Sequence, residues 1–180
     1  MKNTFLKVTG GAVLAILMLM MFAQVRVSAQ FIITEEQNKE QIEGNRGARA
    51  LEGSWSTQVT IRNCQTGDAI RTFPRINTFM QGGTMQEFSA AVAPSLRGPG
   101  HGVWSHLSER ITDGQRFSYA IQFFRFNADG SFAGKVRERR NVEVDFFGST
   151  YNATGTGEIF DANGNLIATA CATETGTRFE

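Results

Sequence analysis

The sequence predicts an all-β fold, an eight-stranded antiparallel up-and-down barrel that closes on itself. From residue 53 onward the chain is rich in Val, Ile, Thr and Phe and is punctuated by glycine pairs and Asp-Gly or Asn-Gly steps. This pattern is typical of short strands joined by hairpins. No segment between the predicted strands is long enough for a crossover helix, so consecutive strands should pair antiparallel. Eight such strands can close and remove both free edges.

The first 29 residues have the layout of a secretory signal peptide. Lys2 and Lys7 precede an apolar stretch of about 14 residues, and Val27 and Ala29 supply the small residues of a cleavage site. The stretch is shorter than the ~20 residues of a membrane span, and an uncleaved N-terminal anchor is the alternative interpretation. We therefore predict a secreted or periplasmic protein that has no membrane span after cleavage.

Removal of residues 1–29 leaves about 151 residues, a length typical of one domain. Lys2, Lys7 and Arg26 leave with the signal peptide, so the net charge becomes 15 − 17 = −2. A slightly acidic protein without a basic patch has no electrostatic basis for binding nucleic acid. We therefore expect no nucleic-acid partner.

Residues 30–52 are predicted to form a polar linker with room for one short helix, because Thr34 and Gln37 form a weak capping pattern. The barrel domain occupies residues 53–180. The predicted strands are 53–62, 75–81, 84–91, 102–111, 116–126, 131–145, 150–161 and 165–178. The second strand is expected to begin after a loop that runs through Pro74. The long glycine-rich segment before the fourth strand is a predicted lid at the barrel mouth.

Closure of the barrel predicts which residues of the first and last strands lie opposite each other, because paired antiparallel residues have numbers with a constant sum. Cys64 and Cys171 sum to 235, and Trp55 and Arg178 sum to 233. An isolated cysteine pair in an exported protein predicts a disulfide, with two free buried thiols as the alternative. Trp55 is predicted to close one barrel end, covered by Arg178, while Gly53 permits a sharp bend. Alternatively, Trp55 is an ordinary core residue.

Two short motifs carry a family resemblance. The "GSW" at the start of the first strand and the "GTR" at 176–178, around eight consecutive strands, resemble the calycins, which include lipocalins, fatty-acid-binding proteins and avidins. More narrowly, "RNCQTG" and "TACATETGTRFE" are similar to a group of secreted bacterial single-barrel proteins that have no characterised activity. The resemblance implies a small closed barrel that binds a small molecule.

Several charged residues lie on otherwise apolar strand faces. Buried charges must be paired or bind something, so these residues are candidates for an inward polar cluster that orients a ligand. The alternatives are a bulge that turns them outward, or a structural ion network; the aromatic rings can equally pack the core. The predicted ligand-binding residues are Glu109, Tyr119, Phe123, Arg125, Glu138 and Arg140.

The predicted function is binding of a small apolar or amphipathic molecule by a lipocalin-like barrel. The alternatives are a pocket-shaping isomerase or cyclase resembling allene oxide cyclase, with Tyr151 or Glu109 as acid or base, and a structural or interaction barrel with a filled interior. No catalytic motif or cofactor fingerprint is evident, so we predict no cofactor. We also predict no metal site, because His101 and His106 would face opposite sides of a strand. A homo-oligomer is compatible with the sequence.

Overall fold

The computed structural model describes residues 49–111 and 114–179, with the backbone alone at residues 108–111. All of the described residues lie within one compact unit. The predicted signal peptide, residues 1–29, and most of the predicted linker with its short helix lie outside the described residues. The described part is an all-β closed barrel, and the predicted fold class is confirmed.

Eight strands follow one another around the barrel in chain order. Each pairs antiparallel with its predecessor, and the last pairs with the first. The strands are β1 Gly53–Arg62, β2 Ala69–Met80, β3 Thr84–Ser89, β4 Gly100–Ile111, β5 Gly114–Phe126, β6 Phe132–Asp145, β7 Thr150–Phe160 and β8 Leu166–Arg178. A 3₁₀ turn, Pro94–Leu96, lies between β3 and β4.

Because the strands alternate in direction, their connections gather at two ends. We call the end where the chain enters β1 the tryptophan end, since Trp55 lies there. The opposite end, the loop end, carries the long β3–β4 connection. Side chains alternate between interior and exterior along every strand, as the burial pattern of β6 shows most clearly.

The second strand differs from the prediction, which placed its start at residue 75 after a loop through Pro74. The strand begins at Ala69, and Pro74 lies inside it, opposite Gln58 of β1. The ladder with β3 ends at Arg75 and Ser89, so Pro74 lies just beyond it. Its carbonyl accepts a hydrogen bond from Ala90 N–H at 3.0 Å, and its missing N–H faces the same open side. Proline is tolerated in a strand at such an edge position.

The seam between β1 and β8 closes the barrel. Trp55 lies directly opposite Arg178, and Arg62 lies opposite Cys171. Cys64 follows β1 and forms the predicted disulfide with Cys171, which is thereby confirmed; the two Cα atoms are 5.1 Å apart. The bond therefore links the first and last strands at the loop end.

Trp55 and Arg178 form the contact that covers the tryptophan end. The Arg178 guanidinium carbon lies 4.4 Å from the centroid of the Trp55 ring, and the Trp55 Nε1–H donates to the Leu51 carbonyl at 2.9 Å. Arg178 also donates to the carbonyls of Ala50, Glu52 and Gly148. Its side chain thus ties the chain entry, the β6–β7 turn and the end of β8 together.

Gly53 has a positive φ of 116°, and a Cβ there would lie 2.8 Å from Arg178 Nη1. Both the backbone conformation and the nearby guanidinium therefore favour glycine at this position.

Side chains pack the barrel interior from both ends. The larger apolar cluster lies toward the tryptophan end and the smaller one toward the loop end. The larger contains Leu51, Trp55, Phe79, Met85, Trp104, Phe117, Tyr119, Ile121, Val142, Val144, Tyr151 and Ala153, and the smaller contains Val59, Phe73 and Ala172. A layer of polar and charged side chains lies within the same interior, and this layer is the most unusual feature of the molecule.

Candidate functional site

Six charged side chains are buried within the described part of the chain, and they form one cluster. Alternation along the strands turns five of them inward, and the sixth reaches in from the β3–β4 connection. We call this group the buried charge cluster: Arg75 of β2, Glu87 of β3, Arg97 of the connection, Glu138 and Arg140 of β6, and Glu174 of β8. Three arginines and three glutamates balance, so the cluster carries no net charge.

Arg75 lies at the centre of the buried charge cluster. Its Nη1 donates to Glu138 Oε2 at 2.9 Å and to Glu174 Oε1 at 3.0 Å, and its Nη2 donates to Glu138 Oε1 at 3.0 Å. Its Nε lies 2.9 Å from Glu87 Oε1, an ion-pair distance without hydrogen-bond alignment. One guanidinium therefore contacts carboxylates from three strands and crosses the interior.

Arg140 and Tyr119 complete the paired side of the cluster. Arg140 Nε donates to Glu174 Oε1 at 3.0 Å, and Arg140 Nη2 donates to Glu138 Oε2 at 3.1 Å. The Tyr119 hydroxyl donates to the other oxygen of Glu174 at 2.7 Å. Charge-assisted bonds of this kind are about twice as strong as neutral ones, so they hold these side chains in one arrangement.

The electrostatics favour the charged form of the ion pairs. Burial alone would raise the pKa of Glu138, but Arg75 and Arg140 outweigh it and hold that pKa below its ordinary value. Burial likewise opposes the charge on Arg75, yet the surrounding carboxylates raise its pKa well above the usual range. Burial, followed by the Glu174 carboxylate, raises the pKa of Tyr119 well above its ordinary value. Tyr119 is therefore a hydrogen-bond donor at neutral pH.

Arg97 closes the cluster at the loop end. Its Nη2 donates to Glu87 Oε2 at 2.7 Å, and its guanidinium carbon lies 3.6 Å from the centroid of the Phe123 ring. The backbone of Arg97 forms a β-bridge with Arg125 near the end of β5. Gly100, the first residue of β4, lies so close that a Cβ would be 2.5 Å from Glu87 Oε2. The connection is therefore seated tightly over Glu87.

The polar atoms around Glu87 are less completely hydrogen-bonded than those around Glu138 and Glu174. Among the described residues, five buried side-chain atoms lack a hydrogen bond: Arg97 Nη1, Arg75 Nε and Glu87 Oε1 in the group around Glu87, and Asn77 Oδ1 and Gln115 Oε1 outside the cluster. Arg75 Nε and Glu87 Oε1 form an ion pair with each other at 2.9 Å, so Arg97 Nη1 is the donor that is left over. The atoms around Glu138 and Glu174 are all paired. A buried unsatisfied polar atom costs roughly 1–3 kcal/mol and requires an explanation. Arg97 Nη1 therefore identifies the side of the cluster beneath the β3–β4 connection as the candidate site.

The structure brings together only part of the predicted ligand-binding set. Glu138, Arg140 and Tyr119 lie within the interior network, and Phe123 lies beneath Arg97. The remaining two residues are placed differently. Arg125 is half-buried near the loop end, and its side chain makes no hydrogen bond or ion pair with the described part of the chain. Glu109 is in β4, where its side chain lies outside the described atoms.

Four members of the cluster were missed by the sequence prediction: Arg75, Glu87, Arg97 and Glu174. The signal for three of them was present, because each strand residue lies between residues that face inward, as Glu174 does between Ala172 and Gly176. The fourth, Arg97, is in a connection without strand alternation, so the same pattern cannot identify it.

A separate concave surface lies on the outside of the barrel. This outer groove has a volume of about 500 Å³ and crosses β4, β5, β6 and β7. Its outward-facing lining includes Val103, Ser105, Ser118, Ala120, Asn141 and Thr154. Two arginines line the groove: Arg139 faces outward and pairs with Glu158 at 3.2 Å, whereas Arg140 faces inward and belongs to the buried charge cluster.

Metal ligands and membrane-spanning helices can be assessed within residues 49–111 and 114–179. No group of three His, Cys, Asp or Glu side chains there could hold a metal ion. No helix in the same ranges is long and apolar enough to cross a membrane. In comparisons with known proteins, no family model, no curated protein and no solved structure matches the chain.

Proposed function

We propose that the protein is an exported, lipocalin-like carrier that binds a small apolar or amphipathic molecule at the loop end of its barrel. The observation that carries the proposal is Arg97 Nη1, a buried donor beside Glu87 without a hydrogen bond. Buried ionic networks are rarely retained for stability alone, because apolar residues of similar volume are often as stabilising or more so. An unsatisfied donor beneath a connection is better explained as a group that meets a ligand.

The binding mode follows from the chemistry around Arg97. The apolar side chains Phe73, Phe123 and Val136 provide contact area for a hydrophobic body, while Arg97 Nη1 offers a donor to a polar group. Small-molecule sites commonly combine apolar walls with a few polar groups that fix orientation. The β3–β4 connection would cover the bound molecule, because its Arg97 already packs on Phe123.

Export is part of the proposal. The apolar leader, residues 1–29, supports it, and so does the disulfide, since such bonds persist in oxidising compartments. The closed up-and-down barrel supports the lipocalin-like assignment, because it is the architecture that this resemblance implies.

The decisive experiment is native mass spectrometry of the protein purified from its own host, which should show a co-purified molecule of constant added mass. Anilinonaphthalene sulfonate then serves as a displaceable fluorescent probe. Arg97→Met should weaken probe binding about tenfold. Phe123→Ala should also weaken probe binding about tenfold, through loss of an apolar contact and with no charge removed. Arg139→Met, on the outer surface, is the matched control. A host-purified protein with no added mass, together with unchanged probe binding in both site variants, would contradict the proposal.

A filled interaction barrel is the second candidate function. Arg75 spans the interior and bonds to carboxylates of β6 and β8, so side chains occupy the middle of the barrel. A mass equal to that of the polypeptide alone would favour this candidate. The outer surface of the barrel would then be the expected site of contact with a partner.

A further inference from the structure

The outer groove crosses a row of uncharged polar side chains that the strand register aligns. Ser105 pairs with Ser118, Ser118 with Asn141, and Asn141 with Thr154. Alternation turns all four outward, and neighbouring strands are about 4.8 Å apart, so the four side chains span ~14 Å across β4–β7. We call these four residues the polar row.

The polar row is free to bond to something outside the chain. Within the described residues, none of its four side chains makes a hydrogen bond or ion pair. Elsewhere on the outer surface comparable residues do pair: the hydroxyls of Thr60 and Thr72 lie 2.9 Å apart. Hydroxyl and amide groups both donate and accept, so the row suits a ligand that does the same.

Two glycines lie where the strands around the outer groove approach each other closely. A Cβ on Gly155 would lie 1.9 Å from the Arg139 carbonyl oxygen, and a Cβ on Gly102 would lie 2.1 Å from the Ala120 carbonyl oxygen. Both glycines occupy inward-facing positions of the alternation. A larger residue at either position would displace the backbone of the neighbouring strand, so the glycines permit the close approach of β4 to β5 and of β7 to β6 beside the groove.

The charge and apolar content of the groove limit the ligand class. Arg139, the one charged side chain on the described outer lining, already pairs with Glu158, so nothing in the groove selects an anion. Val103, which is 59 % exposed, and Ala120 add an apolar border beside the polar row. A ligand that matches both must be uncharged, rich in hydroxyls and partly apolar on one face. Neutral sugars have this combination.

We propose that the outer groove is a binding site for a neutral oligosaccharide, whose hydroxyls bond to the polar row and whose C–H face lies against Val103 and Ala120. The site is separate from the loop end and does not depend on the carrier function. Thr173 and Thr60 continue the register onto β8 and β1, but their hydroxyls already bond to Arg62 and Thr72, so the proposed site is confined to β4–β7.

Affinity gel electrophoresis of the barrel with its native disulfide tests this site. Dextran, mixed-linkage glucan and galactomannan are the neutral probes, and polygalacturonate is the charged control. We expect at least one neutral polysaccharide to slow the wild type, and polygalacturonate to leave its mobility unchanged. The double variant Asn141→Leu/Thr154→Val should bind about tenfold more weakly, because two hydrogen-bonding groups are lost. Ser118→Trp should abolish binding by filling the groove.

Thr175→Val is the matched control, because Thr175 faces outward on β8, outside the groove. Urea midpoints of all variants show whether each one folds. No retardation by any neutral probe, wild-type retardation of the double variant, or equal retardation by polygalacturonate would overturn the assignment. Arg97→Met should leave glycan binding unchanged, so failure here is distinguishable from failure of the carrier proposal.

Discussion

Arg75→Met should be among the most destabilising single substitutions in the barrel. The wild-type guanidinium donates hydrogen bonds at 2.9–3.0 Å to Glu138 and Glu174 and lies 2.9 Å from Glu87. Methionine fills much of the same volume but leaves three buried carboxylates facing two arginines. Removing one partner of a buried ion pair typically costs 3–5 kcal/mol, and we expect about 4 kcal/mol here.

The measurement is urea unfolding followed by tryptophan fluorescence, with the disulfide intact. Arg75→Lys keeps the charge but loses the planar fork, so its cost should be smaller, about 2 kcal/mol. Arg139→Met removes an exposed pair and should cost less than about 1 kcal/mol. Adding Glu138→Gln to Arg75→Met should cost less than the sum of the two single changes, since the carboxylate left unpaired is also removed. A loss below about 1 kcal/mol for Arg75→Met would refute the reasoning.

Three further predictions concern the seam and the buried tyrosine. Cys64→Ser/Cys171→Ser should lower the free energy of unfolding by about 4–5 kcal/mol, because the bond closes a loop of 107 residues, and equal urea midpoints with and without reductant would contradict this. Arg178→Met should cost about 2–4 kcal/mol through loss of its contact with Trp55 and of three carbonyl partners; a midpoint unchanged in urea unfolding would argue against it. The raised pKa of Tyr119 stabilises the fold below about pH 10 and loses this effect as pH rises toward the folded pKa. Tyr119→Phe should therefore flatten the alkaline decline in stability measured by urea unfolding at a series of pH values, and an unchanged decline would exclude this role.

The pairing of β1 with β8 could be predicted from the sequence. In a closed barrel the first and last strands must pair, and residues opposite each other in antiparallel strands have numbers with a constant sum. Once the first and last strands are antiparallel neighbours, one register follows, and two cysteines far apart in sequence reveal it. The alternation of apolar and polar residues predicted the remaining strands, because each strand has one face on the core. The start of β2 was wrong because Pro74 is a strong local signal for a break, and only the position where β3 ends makes it tolerable.

The partners within the buried charge cluster could not be predicted in the same way. Alternation can show that Glu138 faces inward, but its partner Arg75 is 63 residues away in sequence. Which inward charges meet depends on strand tilt and side-chain length as well as on order around the barrel. Arg97 presents a further difficulty, because it enters the interior from a connection whose path no periodic pattern describes.

The buried charge cluster has a fully bonded part, which is structural, and a part with atoms that lack hydrogen bonds, which is the candidate binding site. Glu138 and Glu174 are fully bonded through Arg75, Arg140 and Tyr119. Glu87, by contrast, keeps one oxygen in an ion pair without hydrogen-bond alignment, and Arg97 beside it keeps one donor without a hydrogen bond. The bonded half therefore holds the other half in position. A ligand that accepts a hydrogen bond from Arg97 Nη1 binds at the loop end, beneath the one connection that contributes a charge to the interior among the described residues.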